Sequence, residues 1–288
     1  MKIVHSIEQM RALCRAARQN EQRLGFVPTM GALHAGHLAL VRAARAQCAT
    51  VAASIFVNPT QFGPNEDYAK YPRALEHDQQ MLEAEGVSLL FAPAVEEMYP
   101  PGASTFVTVE GLSDRLCGGS RPGHFRGVAT AVSKLLHIVS PDVAYFGQKD
   151  AAQVAIIRKM VRDLAFALEI VVVPTVREPD GLALSSRNAY LHPKERKQAL
   201  VLYRALCRVQ TLADQGERSA RKLMEAAKEV FREEPIVRLD YVDIVNQDTL
   251  EPVDDVSQGA LVAVAAFVGN ARLIDNIVLL GTGKTRFG

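Results

Sequence analysis

The chain carries almost no excess charge. Of its 288 residues, 33 are Lys or Arg and 32 are Asp or Glu, a net charge of +1 at pH 7. That balance leaves no electrostatic footprint for a long nucleic acid. Paired cysteines are also missing. Cys14, Cys48, Cys117 and Cys207 lie far apart with no C-x-x-C spacing, so neither a disulfide framework nor a zinc framework is expected, and the thiols read as reduced. No apolar run approaches the ~20 residues of a membrane span. Residues 1–18 interleave Lys2, Glu8, Arg11 and Arg15 with apolar residues, unlike the uninterrupted core of a signal peptide. There is no internal repeat and no low-complexity tract. These absences predict a cytoplasmic protein that acts on neither membranes nor nucleic acids.

What is present is an ordinary globular composition, 48% hydrophobic and 23% charged. The length suits two domains of about 100–200 residues each, with a full core. Ser6 is placed to cap a helix running to residue 18, with Ile7, Met10, Leu13 and Ala17 on one face. Apolar strands are expected at residues 24–27, 51–57, 87–91, 142–146 and 169–173. Helices are expected between them, near residues 38–47, 73–85, 128–139 and 151–164. Residues 99–123 are rich in Pro and Gly and read as loops around one short strand at 105–109. Alternating strands and helices imply βαβ units and a parallel sheet, with ligands beyond the carboxyl ends of its strands. After residue 176 the pattern changes to helices at 193–215 and 219–234, then strands at 237–246, 260–268 and 271–280. The expected fold is therefore α/β: a Rossmann-like parallel-sheet domain over residues 1–176 and a smaller α+β domain over 177–288.

The most informative stretch is Pro28-Thr29-Met30-Gly31-Ala32-Leu33-His34-Ala35-Gly36-His37. It reads as the end of a strand, a Gly-rich turn and the opening of a helix. Such a junction aims free N–H groups and a helix dipole at one point, which suits phosphate. An isolated H-x-x-H is more often an ordinary pair of helix-start histidines, and a zinc site would want a third ligand. The strand before, the helix after and the two glycines favour the phosphate reading. Each imidazole can donate to a phosphate oxygen, whether neutral or protonated.

Three other clusters sit in turns. In Leu184-Ser185-Ser186-Arg187-Asn188, two hydroxyls precede a planar fork of donors. Phe146-Gly147-Gln148-Lys149-Asp150 closes a strand, and Asn58-Pro59-Thr60-Gln61 closes another. Taken alone, each is an unremarkable loop. Gly281-Thr282-Gly283-Lys284-Thr285 ends like a P-loop, but its first glycine would fall at Val278 and no helix can follow.

His34-Ala35-Gly36-His37 resembles the HIGH motif of the class I aminoacyl-tRNA synthetase and nucleotidyltransferase superfamily. The longer PTMGALHAGH segment is, more narrowly, similar to the pantothenate synthetase family. Leu184 to Asn188 resembles the position of the superfamily's KMSKS loop. The resemblance runs through nearly the whole chain, and its segments occur in the expected order. It implies an ATP-dependent ligase that joins pantoate to β-alanine through an acyl-adenylate, with Mg2+ as cofactor and a homodimer as assembly. By the same resemblance, ATP meets Met30, Gly31, His34, Gly36 and His37 from the first turn. Gly147, Gln148, Lys149 and Asp150 follow from the second, with Val176 beside the adenine. Leu184, Ser185, Ser186 and Arg187 complete the ATP contacts. His34, His37, Lys149 and Arg187 are the expected catalytic groups. Gln61 and Gln153 are assigned to pantoate, with Gln61 also touching β-alanine, and Arg121 and His124 to β-alanine or phosphate. Asp78 is expected as an outer-sphere magnesium contact.

Two rival readings compete with the ligase. An adenylyltransferase acting on a phosphate should carry extra cations where Gln61 and Gln153 lie. A nucleotide-sensing module would keep the fold without turnover. A tRNA synthetase is disfavoured, because the chain has no room for an anticodon-binding domain.

Overall fold

The computed structural model describes residues 1–19, 23–64 and 66–281. Its larger sheet holds six parallel strands in the order β1-β4-β3-β2-β5-β6. They are β1 (Lys2–Val4), β2 (Leu24–Thr29), β3 (Thr50–Ile55), β4 (Leu89–Phe91), β5 (Val143–Gly147) and β6 (Glu169–Val173). The central strands read as continuous apolar runs because both of their faces are buried. Successive side chains bear this out. Phe26, Ala52, Ala144 and Phe146 point into one core, and Val27, Val51, Ala53 and Tyr145 into the other.

The first core is closed by α1 (Ile7–Gln19), the short α4 (Val95–Met98) and α5 (Cys117–Ser120), α6 (His124–Val139) and α7 (Ala151–Asp163). The second is closed by α2 (Ala35–Gln47) and α3 (Leu75–Ala84). The chain turns from one side of β2 to the other between β4 and β5. That reversal opens a crevice beyond the carboxyl ends of the central strands.

The rest of the chain forms α8 (Pro193–Gln198), α9 (Leu200–Asp214), α10 (Ala220–Arg232), β7 (Arg238–Val245), β8 (Gly259–Val268) and β9 (Ala271–Leu280). The three strands make an antiparallel sheet in sequence order. Val262, Val264 and Ala266 face α9 and α10, while Leu261 and Ala263 join the core of the larger sheet. The smaller sheet is thus packed on both faces, and one of those faces belongs to the parallel-sheet domain.

Three expectations change. Residues 105–109 form no strand; the segment runs extended, and the Val107 N–H goes to Thr130 Oγ1 at 2.9 Å. Its apolar alternation packs Val107 and Val109 into the core instead of building a ladder. The expected helix at 193–215 divides at Ala199 into α8 and α9. The edge strand β1 is an addition, since three residues are too short to show a period. The P-loop-like tail lies outside the described residues from 282 onward. Among the described residues, no helix is long and apolar enough to cross a membrane.

Candidate active site

A cavity of about 990 Å³ lies beyond the carboxyl ends of β2 and β5. The turns after β2, β3 and β5 line it, and so do residues 184–187 and part of β9.

The turn after β2 is shaped by two consecutive left-handed residues, Gly31 (φ +82°) and Ala32 (φ +51°). A Cβ at Gly31 would sit 2.9 Å from Asp78 Oδ2, so glycine is required there. Asp78, on α3 and 1% exposed, accepts the N–H groups of Ala32 and Leu33, both at 2.8 Å. These bonds hold the strained turn in place. Asp78, expected as an outer-sphere magnesium contact, lies off the cavity, and each of its oxygens accepts a backbone donor.

α2 then begins with its two histidines bonded into the cap. The Gly36 N–H donates to His34 Nδ1 at 3.1 Å, and the His34 N–H donates to His37 Nδ1 at 3.3 Å. A nitrogen that accepts carries no proton, so in both neutral rings the hydrogen resides on Nε2. Burial, then the Lys149 charge, lowers the His34 pKa to about 4. Burial, then His34, lowers that of His37 to about 3. At neutral pH the cap therefore presents two uncharged N–H donors, with ring centroids 4.2 Å apart.

Beyond β5, Lys149 makes a loose ion pair with Asp150 at 3.7 Å. Arg187 is paired with Asp67 at 3.0 Å. The Ser185 hydroxyl accepts from the Arg187 N–H at 3.3 Å and so caps the short 3-10 helix Ser186–Tyr190. Ser186 Oγ lies 3.5 Å from the Tyr71 hydroxyl. Asp67 and Tyr71 are invisible to a sequence reading, because no local pattern ties them to residues 185–187. The buried Thr175 Oγ1 and Tyr190 OH, on residues lining the same cavity, have no hydrogen-bond partner among the described residues.

Gln61 is oriented by Asn58, whose Nδ2 donates to Gln61 Oε1 at 3.0 Å and to the Gly127 carbonyl at 3.1 Å. Asn58 Oδ1 accepts from the Thr60 hydroxyl at 2.8 Å and the Tyr99 hydroxyl at 2.9 Å. The 2%-exposed Asn58 is thus saturated. Its signal in the sequence is the Asn-Pro turn itself. A Cβ at Gly127 would come within 2.2 Å of the Thr60 carbonyl oxygen, so α6 can approach the turn only as glycine.

Arg121 is less free than its formal charge implies. Its Nε donates to Glu66 Oε1 at 2.7 Å, and Nη2 reaches Glu66 Oε2 at 2.5 Å. Nη1 lies 3.0 Å from His124 Nε2, which leaves His124 Nδ1 to donate to the Gln61 carbonyl at 2.7 Å. Burial, followed by Arg121, lowers the His124 pKa to about 4, so this ring too is neutral. Its proton is on the opposite nitrogen from those of His34 and His37.

Most of the anticipated residues meet here. Met30, His34, Gly36 and His37 line the cavity, as do Gly147, Lys149 and Asp150. So do Val176, Leu184, Ser185, Ser186 and Arg187, together with Gln61, Gln153, Arg121 and His124. Gly31, Gln148 and Asp78 do not. Gly31 shapes the turn, and the Gln148 amide donates to Asn276 Oδ1 at 2.9 Å.

A profile of the pantoate-beta-alanine ligase family matches residues 2–278. The chain is 60% identical over 286 residues to a pantothenate synthetase from Koribacter versatilis, covering 99% of this chain and 98% of that one. It is 56% identical to a pantothenate synthetase from Thermotoga neapolitana, over 97% and 100% of the two chains. The crystal structure of pantothenate synthetase from Thermus thermophilus superposes with a TM-score of 0.92 at 52% identity, over 96% and 99% of the chains. The pantoate-beta-alanine ligase from Francisella tularensis, complexed with beta-gamma ATP and beta-alanine, does so with a TM-score of 0.79 at 35% identity, over 96% and 97%.

Proposed function

The chain belongs to the pantoate-beta-alanine ligase family, and from that premise we propose that its cavity joins pantoate to β-alanine in two steps through a pantoyl-adenylate. A carboxylate is a poor acylating agent. Its oxygen first attacks the α-phosphorus of ATP, a new P–O bond forms, and pyrophosphate leaves with the electrons of the broken bond. The β-alanine amine then attacks the acyl carbon. A C–N bond forms, AMP departs, and the amine gives up a proton.

The observation that carries this reading is the division of charge within one cavity. Lys149, the two Nε2–H donors of the α2 cap and Arg187, itself paired with Asp67, line the cavity together and in this reading meet the negative charge that grows on the transferring phosphates. Gln61 and Gln153 line the same cavity and in this reading hold the acid, while Arg121 is already neutralised by Glu66. Neutral amides hold a carboxylate by hydrogen bonds without trapping it as a salt. With Arg121 spent in this way, a phosphorylated acceptor is disfavoured. The Francisella tularensis complex adds that a relative binds beta-gamma ATP and beta-alanine.

Among the described residues, no group of three or more His, Cys, Asp or Glu side chains is disposed to hold a metal ion. The donor set does not make a resident magnesium site, so the expected Mg2+ would enter as the ion that ATP carries. Residues 1–176 act in this reading as the nucleotide- and pantoate-binding domain, and 177–288 as a lid that brings Arg187. A homodimer is part of the same proposal. The extended segment around the 42%-exposed Phe106 has no ladder partner among the described residues. Light scattering should then give twice the chain mass, and a monomer would remove that part.

The deciding experiment is exchange of labelled pyrophosphate into ATP. It should occur with pantoate and vanish without it. Exchange that requires a phosphorylated acceptor would identify an adenylyltransferase, and tight ATP binding with no exchange would identify a sensor.

A further inference from the structure

The turn that carries Lys149 is held from the opposite sheet. Asn276, on β9 and 4% exposed, donates from Nδ2 to the carbonyl oxygens of Gln148 at 3.0 Å and Lys149 at 2.9 Å. Its Oδ1 accepts from Gln148 Nε2 at 2.9 Å. Both hydrogens of the amide and its oxygen are thereby used on a single turn. The preceding residue, Asp275, receives Arg177 on both oxygens, at 2.6 and 2.9 Å. Two consecutive residues of β9 thus grip the start of α7 and the chain leaving β6.

Lys149 itself is held only loosely, since its ion pair with Asp150 is long and the partner side chain is 47% exposed. The position of the backbone therefore contributes to where its ammonium lies, beside the electrostatic pull of Asp150 and Asp275. We propose that Asn276 is a positioning residue for Lys149, clamping the carbonyls of the turn so that the ammonium stays in the cavity. The clamp spans the two sheets, so it also sets where the C-terminal sheet rests relative to the nucleotide end. Chemistry explains the residue type. An aspartate would face two carbonyl oxygens with a carboxylate, and a leucine would leave both carbonyls without donors. The inference rests on the proposed reading of Lys149 as one of the donors to the transferring phosphates.

The test is a double-mutant cycle on the full-length enzyme, read by pantoate-dependent pyrophosphate exchange. Asn276→Asp should lower the rate about 10–100-fold, the scale of a 1 Å misplacement of a catalytic group. In a Lys149→Ala background, Asn276→Asp should cost no further loss beyond about twofold, because residues that act as a unit are non-additive. A merely structural asparagine would lower the unfolding midpoint and give additive rate losses, and that result overturns the clamp alone. A wild-type rate for Asn276→Asp overturns it as well. A wild-type rate for Lys149→Ala overturns the role of Lys149 and the clamp with it. Should Asn276→Asp fail to fold, Gln148→Met removes one bond of the clamp from outside the cavity. It should then show a smaller loss, about threefold, with the same non-additivity, and additive losses there would overturn the clamp in turn.

Discussion

Lys149→Ala is expected to slow pantoate-dependent adenylation by about 10²–10³-fold, the cost of removing one prearranged donor from a developing oxyanion. The ground-state field of the α2 dipole contributes only about 0.3–1 kcal/mol, so it cannot replace the lost ammonium. Stability should barely change. The long Lys149–Asp150 pair is partly solvated, and pairs of that kind are worth under about 1 kcal/mol. A second readout comes with the first. Lys149 is one of the groups that depress the His34 pKa, so His34 in the variant should titrate higher than about 4. A single-turnover rate near wild type would remove Lys149 from the reaction.

His37→Ala should produce a loss of the same order, about 10²–10³-fold, for a different reason. The ring supplies a neutral Nε2–H, and its Nδ1 holds the His34 N–H in the cap. Loss of that cap bond should also cost about 1 kcal/mol of stability. Protonation state separates this mechanism from one that relies on an imidazolium. The folded-state values, about 4 for His34 and about 3 for His37, lie below the ordinary 6.5. As pH falls, the unfolded chain therefore takes up these protons first. The stability contributed by the neutral rings is complete above 6.5, and it declines as pH falls from there through about 4 and about 3. Nitrogen chemical shifts of the two rings should accordingly stay flat from about pH 8 to about pH 5, with the proton on Nε2. A ring that titrates near 6.5 would contradict the neutral-donor mechanism.

The architecture is legible where burial imposes a period. The apolar runs behind β2, β3 and β5 could belong only to strands buried on both faces, and the patterns of β6 and β9 end where the strands do. Residues 105–109 show the limit of that argument. Their alternation is real, but a strand also needs a neighbour, and periodicity cannot supply one. The site divides in the same way. His34, His37, Lys149 and Arg187 are readable because each sits in a turn beside a recognisable element. Gln148 stands in the same kind of turn, yet its side chain bonds Asn276, and Asp78, on α3, bonds the backbone of residues 32–33. Asp67 and Glu66 cannot be picked out as partners, since nothing near them in the chain points to Arg187 or Arg121, whereas Asn58 shares its Asn-Pro turn with Gln61.

The amino-acid sequence by itself determined the parallel sheet, the position of the Gly-rich turn at the head of α2 and the kinds of donor brought to the cavity. These follow from short-range rules of burial, backbone freedom and helix capping. Only the tertiary structure decided which imidazole nitrogen bears the proton, that Glu66 cancels the charge of Arg121, and that Asn276 reaches across to the turn of Lys149. Most of those depend on atoms brought within about 3 Å by the packing of elements remote in the chain, and a hydrogen bond is specific to that distance and direction.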